Sequence, residues 1–288
     1  MSKLIIATCQ FPLTRDPVAN TEFVLRQMTS AKELGAQLTH FPECCLSGYA
    51  GVELASTAGI DWAALLNQAE RVMAAAKRLG LWVVVGSTHR LSQDHKPHNS
   101  LYVIDNHGRL VTRYDKVFCT GRGGARPTED LAHYSPGSSL ITFEVRGVRI
   151  GLLICHDCRY PELYRQYKQQ GVQLVLHSYH NAGMTADSLH YYHDHVTITM
   201  KAAAASNFLW ISASNACQPS AWSSFVVSPS ASIVGRLVRH RPGILVQEID
   251  SKYKAFDPSS YWRKRCSSGV FHSGELVTDR RSDDRTSL

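Results

Sequence analysis

"GLLICHDCRYPELYR", Gly151–Arg165, decides how the rest of the chain is read. An apolar run suited to a buried strand stops at Cys155, and Pro161 then opens a helical segment, the first helical turn being where proline fits best. A strand therefore delivers Cys-His-Asp-Cys to a turn. Two sulfurs at that spacing permit a metal site, a redox couple, or one nucleophile beside a bystander. Zinc requires two further ligands at suitable spacing, and the sequence holds no second Cys-x-x-Cys pair. A thioredoxin-like couple would sit in a small unit of its own, whereas this pair lies late in a long chain. A buried strand-end thiol without chemistry is the plain alternative.

Two other strand ends also deliver a reactive group. Glu43 follows "LTHFP" and Lys116 follows "LVTRYD". In α/β sheets, ligand sites gather where strands open onto loops, so three such residues from distant segments can share one crevice. A free thiol, of pKa about 8.5, is only a few per cent thiolate at neutral pH. A carboxylate can take its proton as attack begins. An ammonium favours the thiolate and stabilises an oxyanion, as do backbone N–H groups just after the nucleophile, at His156 for instance. The three together suit acyl transfer from an amide through a thioester.

The surrounding chain alternates strand and helix signals. "KLIIATCQF", "AQLTHFPE" and "LWVVVGS" read as strands. "NTEFVLRQMTSAKELG" places Val24, Met28, Ala31 and Leu34 on one helical face. "DWAALLNQAERVMAAAKRLG" is the clearest helix, capped by Asp61 and stopped by Gly80. Hairpins are expected across "DNHG" and "RG", then helix "PELYRQYKQQG", strand "VQLVLHS", helix "DSLHYYHDHVTITMKAAAASN", and the strands "FLWISASN", "SFVVSPSASIVGRLV" and "GILVQEID". This order predicts helices covering mixed sheets in one domain.

Composition limits the function classes. The 288 residues are 44% hydrophobic and 19% charged, ordinary for a globular chain able to fold without staples. The start is too short in apolar residues for a signal peptide, and no run is long enough to span a bilayer. Eight scattered cysteines make a poor disulfide framework, so a cytoplasmic protein is expected. The net charge of +7 is dispersed, with no recognition helix or finger spacing, which argues against nucleic acid.

"FPECCLSGY", "RYDKV" and "GLLICHDCRYPELYR", in that order, resemble the nitrilase, or carbon-nitrogen hydrolase, superfamily. "IIATCQFP", "YSPG" and "ASN" fall where such proteins carry similar segments, and the similarity spans roughly the first 250 residues. The resemblance implies a single-domain, four-layer α-β-β-α sandwich over residues 1–250, with 251–288 an extension that contributes to oligomer contacts. It implies Glu43 as general base, Lys116 as oxyanion stabiliser and Cys155 as nucleophile. A second acid is matched to Glu129, with Asp130 fitting also. A homodimer or larger assembly is implied, and no cofactor or metal. Cys-His-Asp resembles amidases and carbamoylases more than nitrilases, which usually show Cys-Trp-Glu.

A linear amide or N-carbamoyl substrate is therefore expected, with nitrile hydrolysis, acyl transfer or a non-catalytic thiol role as alternatives. Tyr49, His156, Arg159, His177, His180 and Asn181 are candidates for the substrate pocket, Arg159 because guanidinium suits a carboxylate. His177, His180, His190, His193 and His195 look like a metal nest, but no carboxylate motif frames them. The segment "VFCTGRGGARPTEDLAHYSPG" lacks the family's His-Leu-Phe run, and His156 stands where amidases often have an aromatic.

Overall fold

The structure, a computed structural model, describes residues 3–122, 126, 128–181, 186–219 and 221–286, with only the backbone of 186–193. It divides into two compact units, Met1–Ala255 and Phe256–Leu288.

The first unit opens with β1 (Lys3–Gln10), α1 (Pro17–Glu33), β2 (Leu38–His40), α2 (Trp62–Leu79) and β3 (Trp82–His89). The hairpin β4 (His98–Ile104) and β5 (Leu110–Asp115) follows, then the short α3 (Asp130–His133). The second half runs β6 (Thr142–Val145), β7 (Val148–Ile154), α4 (Pro161–Gln169), β8 (Leu174–Tyr179), α5 (Ala186–Asn207) and β9 (Trp210–Asn215). The strands β10 (Phe225–Val227), β11 (Ile233–Arg236) and β12 (Gly243–Asp250) close it. Two six-stranded sheets result, ordered β12-β1-β2-β3-β4-β5 and β11-β10-β9-β8-β7-β6. Within each, the central strands are parallel and the outer pairings antiparallel.

Burial explains the layering. Leu4, Ile6, Leu38, Val84 and Leu101 of the first sheet share a core with Ile150, Leu152, Leu174 and Ile211 of the second. Val24 and Met28 of α1 and Leu65 and Val72 of α2 pack on the outer side of the first sheet, against Ala7, Cys9, Val83 and Val85. Leu163, Tyr164 and Tyr167 of α4 and Val196 and Met200 of α5 cover the second. The central strands are thus apolar on both faces and read as unbroken hydrophobic runs. The α-β-β-α sandwich is the architecture expected.

Helix ends follow their chemistry. Asp61 Oδ1 accepts from Ala64 N–H at 3.0 Å, and Gly80 closes α2 with φ 59°. α1 starts earlier than its apolar periodicity suggests, because Asp16 caps it and Pro17 occupies its first position. Leu34 is not on the buried stripe; it lies just past the last turn and is 60% exposed.

One glycine is demanded by the site. A Cβ on Gly86 of β3 would lie 2.3 Å from the Pro42 carbonyl oxygen and 2.6 Å from the Cys44 nitrogen, so the backbone carrying Glu43 passes directly over it. Gly86→Ala is expected to cost about 1–3 kcal/mol in a denaturant titration, since both clashing atoms are main chain. It should also displace Glu43 and lower turnover more than a comparably destabilising change elsewhere.

In the second unit, α6 (Ser260–Ser267) is followed by irregular chain. Arg263 pairs with Asp257 at 2.5 Å, and Cys266 is exposed.

Candidate active site

Phe41 and Pro42 carry the chain from β2 to Glu43, whose side chain is fully buried. Its Oε1 accepts from Lys116 Nζ at 2.9 Å and from Asn99 Nδ2 at 2.7 Å. Oε2 is buried without a hydrogen-bond partner. A carboxylate with one oxygen fixed and the other open is built to receive a proton.

Lys116 directly follows β5 and is 1% exposed. Besides Glu43, its ammonium contacts Asp130 Oδ2 at 2.8 Å. Burial alone would drive its pKa down; Asp130 and then Glu43 outweigh that and hold it well above the usual lysine value. It is therefore a fixed cation. Asp130 in turn accepts from Thr120 N–H at 2.8 Å and from the Tyr49 hydroxyl. Burial would raise its carboxyl, and the Lys116 charge reverses this and lowers it.

The acid beside Lys116 is thus Asp130, and the match to Glu129 is corrected. Asp130 is the first residue of α3, whereas Glu129 precedes that helix in extended conformation. One residue of offset at a helix start sends the two side chains in different directions, and the Glu129 carboxyl packs against Gly121 instead.

Cys155 directly follows β7 and starts a 3-10 turn, Cys155–Arg159. It is half-buried, with φ 44°, a left-handed backbone that a side chain adopts at a cost and that is common at functional turns. Burial raises its thiol pKa well above the usual value; Glu43 raises it further and Lys116 opposes both. Glu43 and Lys116 both lie near enough for their charges to bear on the Cys155 thiol. The resting sulfur holds its proton, so an adjacent base is required.

Asp157 ties this turn to the lysine. Its Oδ2 accepts from Ile154 N–H at 2.8 Å and from the Tyr114 hydroxyl at 2.7 Å, while Oδ1 accepts from Phe118 N–H at 3.0 Å. Tyr114 and Phe118 flank Lys116, so one buried carboxyl clamps the end of β5 to the nucleophile's turn. Burial nonetheless pushes that carboxyl up to about 6.

The remaining candidates divide. Tyr49 is buried with its hydroxyl on Asp130 and its ring 4.8 Å from that of His180, stacked. His180 Nε2 lies 3.1 Å from Glu53, which also accepts from Tyr49 N–H and Gln218. Its Nδ1 is buried without a partner. His156 is half-buried against Tyr160, and Arg159 is exposed at the end of the turn. Asn181 is buried and accepts from Asn215 Nδ2 at 2.9 Å.

His177 is engaged on both ring nitrogens, by the Cys155 carbonyl at 3.2 Å and the Tyr164 hydroxyl at 2.7 Å. It touches the nucleophile's backbone and presents no free polar atom to a substrate, which corrects its place among the pocket residues. The side chains of His190 and His193 lie outside the described residues. Among the described residues, no group of three or more His, Cys, Asp or Glu is placed to hold a metal, and no helix is long and apolar enough to cross a membrane.

Sequence reading missed Asn99, Asp157 and Glu53. Asn99 was within reach: the β4–β5 register pairs Ser100 with Asp115, which sets Asn99 opposite Lys116, and their backbones bond at 2.9 Å. Cys158 is buried, its thiol pushed up to about 11 by burial, and both it and Cys155 are free. A thiol so placed is a poor redox partner.

Comparison with known proteins agrees with this geometry. The carbon-nitrogen hydrolase family profile matches residues 5–256. Deaminated glutathione amidase of Bos taurus is 26% identical over 265 residues, covering 86% of this chain and 77% of that protein. An omega-amidase of Xenopus tropicalis is 25% identical over 266 residues, covering 88% and 91%. An amidase of Nesterenkonia sp. AN1, a Glu-to-Gln mutant with the acetamide moiety of fluoroacetamide added covalently at its active-site cysteine, superposes with a TM-score of 0.74. It is 25% identical, over 86% of this chain and 90% of that one. With the profile covering nearly the whole first unit, and an acid, a lysine and a cysteine gathered at its strand ends, this chain belongs to the carbon-nitrogen hydrolase family.

Proposed function

We propose that this carbon-nitrogen hydrolase cleaves a linear carboxamide with Cys155 as nucleophile, Glu43 as general base and Lys116 as oxyanion stabiliser. The observation that carries the assignment is the divided environment of Glu43: Oε1 is held by Lys116 and Asn99, and Oε2 is left to accept the thiol proton. As Cys155 Sγ attacks the carbonyl carbon, Glu43 takes its proton, and the Lys116 ammonium with backbone N–H groups of the turn receives the oxyanion. The tetrahedral adduct collapses, the C–N bond breaks, and Glu43 returns the proton to the departing nitrogen. Ammonia or an amine leaves a thioester. Water, deprotonated by Glu43, then releases the acid and restores the thiol. Asp130, held by Tyr49 and Thr120, keeps Lys116 charged throughout.

The acyl group is proposed to carry a distal carboxylate, since Arg159 lies at the end of the nucleophile's turn and guanidinium pairs well with carboxylate. The amidase names of the relatives support the amide bond over a nitrile. Eight free cysteines support a reducing compartment such as the cytoplasm. We also propose that the chain works as a homo-oligomer, with residues 251–288 contributing to its contacts.

Intact-mass spectrometry after exposure to a panel of short carboxamides, with and without a terminal carboxylate, tests the reading. A single acyl adduct mapping to Cys155, with stoichiometric ammonia, is expected. Ammonia release without any adduct trapped at Cys155 by rapid quench would overturn it.

A further inference from the structure

Glu43 stands on the first sheet and Cys155 on the second, so something must set the distance between them. Three consecutive residues at the end of β8 touch both turns. His177 Nε2–H donates to the Cys155 carbonyl at 3.2 Å. Ser178 Oγ–H donates to the Phe41 carbonyl at 2.8 Å, two residues before Glu43. The Tyr179 carbonyl accepts from Glu43 N–H at 3.3 Å. We infer that the end of β8 is the spacer that aligns base and nucleophile, with His177 and Ser178 as positioning residues. The inference rests on the roles proposed above for Glu43 and Cys155.

The direction of the Ser178 bond is fixed from a distance. A hydroxyl has one proton, and a carbonyl can only accept, so Ser178 must itself accept from His40 Nε2–H, at 2.9 Å. With its proton on Nε2, His40 accepts at Nδ1 from Ser212 Oγ–H at 2.8 Å, and Ser212 accepts in turn from Thr8 Oγ1–H at 2.7 Å. Every member is fully buried. Each of the four bonds in the chain Thr8→Ser212→His40→Ser178→Phe41 crosses between the sheets, and the chain has only one consistent polarity. Burial keeps His40 neutral, its pKa lowered to about 3, so this polarity persists at any working pH. His177 is oriented likewise, its Nδ1 accepting from the Tyr164 hydroxyl at 2.7 Å while its ring stacks 4.3 Å from that of Tyr179. A network with every donor and acceptor matched rigidifies a core at one geometry.

The test uses the full-length protein and iodoacetamide, with the exposed Cys266 as internal reference. In this reaction the sulfur–carbon bond forms, iodide leaves, and the thiol proton passes to a base. Peptide mapping gives the ratio of the alkylation rates at Cys155 and Cys266. In the wild type Cys155 should be alkylated with Glu43 as the base, so Glu43→Gln should lower the ratio; a ratio that Glu43→Gln leaves unmoved would sink the catalytic reading itself. Ser178→Ala and, separately, His177→Phe should lower the ratio roughly 10- to 100-fold, the scale of an ångström-sized misplacement. Ser214→Ala is the control. Ser214 is the β9 neighbour of Ser178 and makes an equally buried bond between sheets, but to the Cys9 carbonyl at 2.7 Å and to neither turn, so its loss should lower the melting temperature comparably while leaving the ratio unchanged. An unchanged ratio in both β8 variants, or the same fall in Ser214→Ala, overturns the inference.

Discussion

Cys155→Ala should release no ammonia from an amide that the wild-type enzyme hydrolyses, a loss on the order of 10⁵-fold or more, because a removed nucleophile leaves only binding and oxyanion stabilisation. Cys158→Ala should stay within a few-fold of wild type. Its sulfur is buried beside Tyr179 and Tyr164, and the change costs packing, about 1–2 kcal/mol, without removing the nucleophile. The pair of variants separates the two readings of Cys-His-Asp-Cys. A redox couple requires both sulfurs, so equal loss from either substitution, with a reversible bond between them, would refute the hydrolase. Steady-state ammonia release and thermal melts on the same preparations provide the measurement.

Lys116→Met should damage both activity and fold. The ammonium lies between two fully buried carboxyl groups, 2.9 Å from Glu43 and 2.8 Å from Asp130. Removing it strands their charges, and breaking a buried pair from one side costs about 3–5 kcal/mol. The loss should depend on pH. In the wild type, Lys116 lowers the folded-state pKa of Asp130, so that group stabilises the fold above its unfolded pKa, and this stability is lost as pH falls through the lower folded value. In the variant the buried Asp130 carboxyl has no cation and rises instead, so stability should be greatest at acid pH and decline as it is forced to ionise. Melting curves at pH 4 and pH 7 should therefore differ more for Lys116→Met than for wild type, in the opposite sense. Turnover should fall about 10²–10³-fold from lost oxyanion stabilisation, before any effect on Glu43. A variant equally stable at both pH values with full activity would refute the role.

The fold was legible because its central strands are buried on both sides and its helices on one, so apolar runs and periodicity each marked an element. α1 was misjudged at both ends for a local reason: Asp16 and Pro17 lie outside the apolar repeat, and Leu34 continues the repeat past the point where the helix stops. Glu43, Lys116 and Cys155 stand out in the sequence because each follows closely on an apolar strand run, Lys116 and Cys155 directly and Glu43 after two residues. Their supports do not. Asp130 and Glu129 differ by one position, and only the start of α3 decides which meets Lys116. Asp157 looks like any turn aspartate until Tyr114 and Phe118 arrive from a segment forty residues earlier. His177 reads as a pocket residue because strand ends line pockets; that its ring turns back onto the Cys155 carbonyl depends on Tyr164 of α4. Contacts between distant segments leave no periodic trace.

The clamp made by Asp157 has a consequence for how such a catalyst can be divided or inherited. It stitches the end of β5, beside the lysine, to the turn after β7 that carries the sulfur, and those two belong to different sheets and different halves of the polypeptide. A fragment ending before residue 150 would own an acid and a cation with nothing to activate; one starting there would own a thiol that nothing deprotonates. Neither half is a feebler version of the whole, so shuffling this enzyme with a cousin should succeed only when both halves change together.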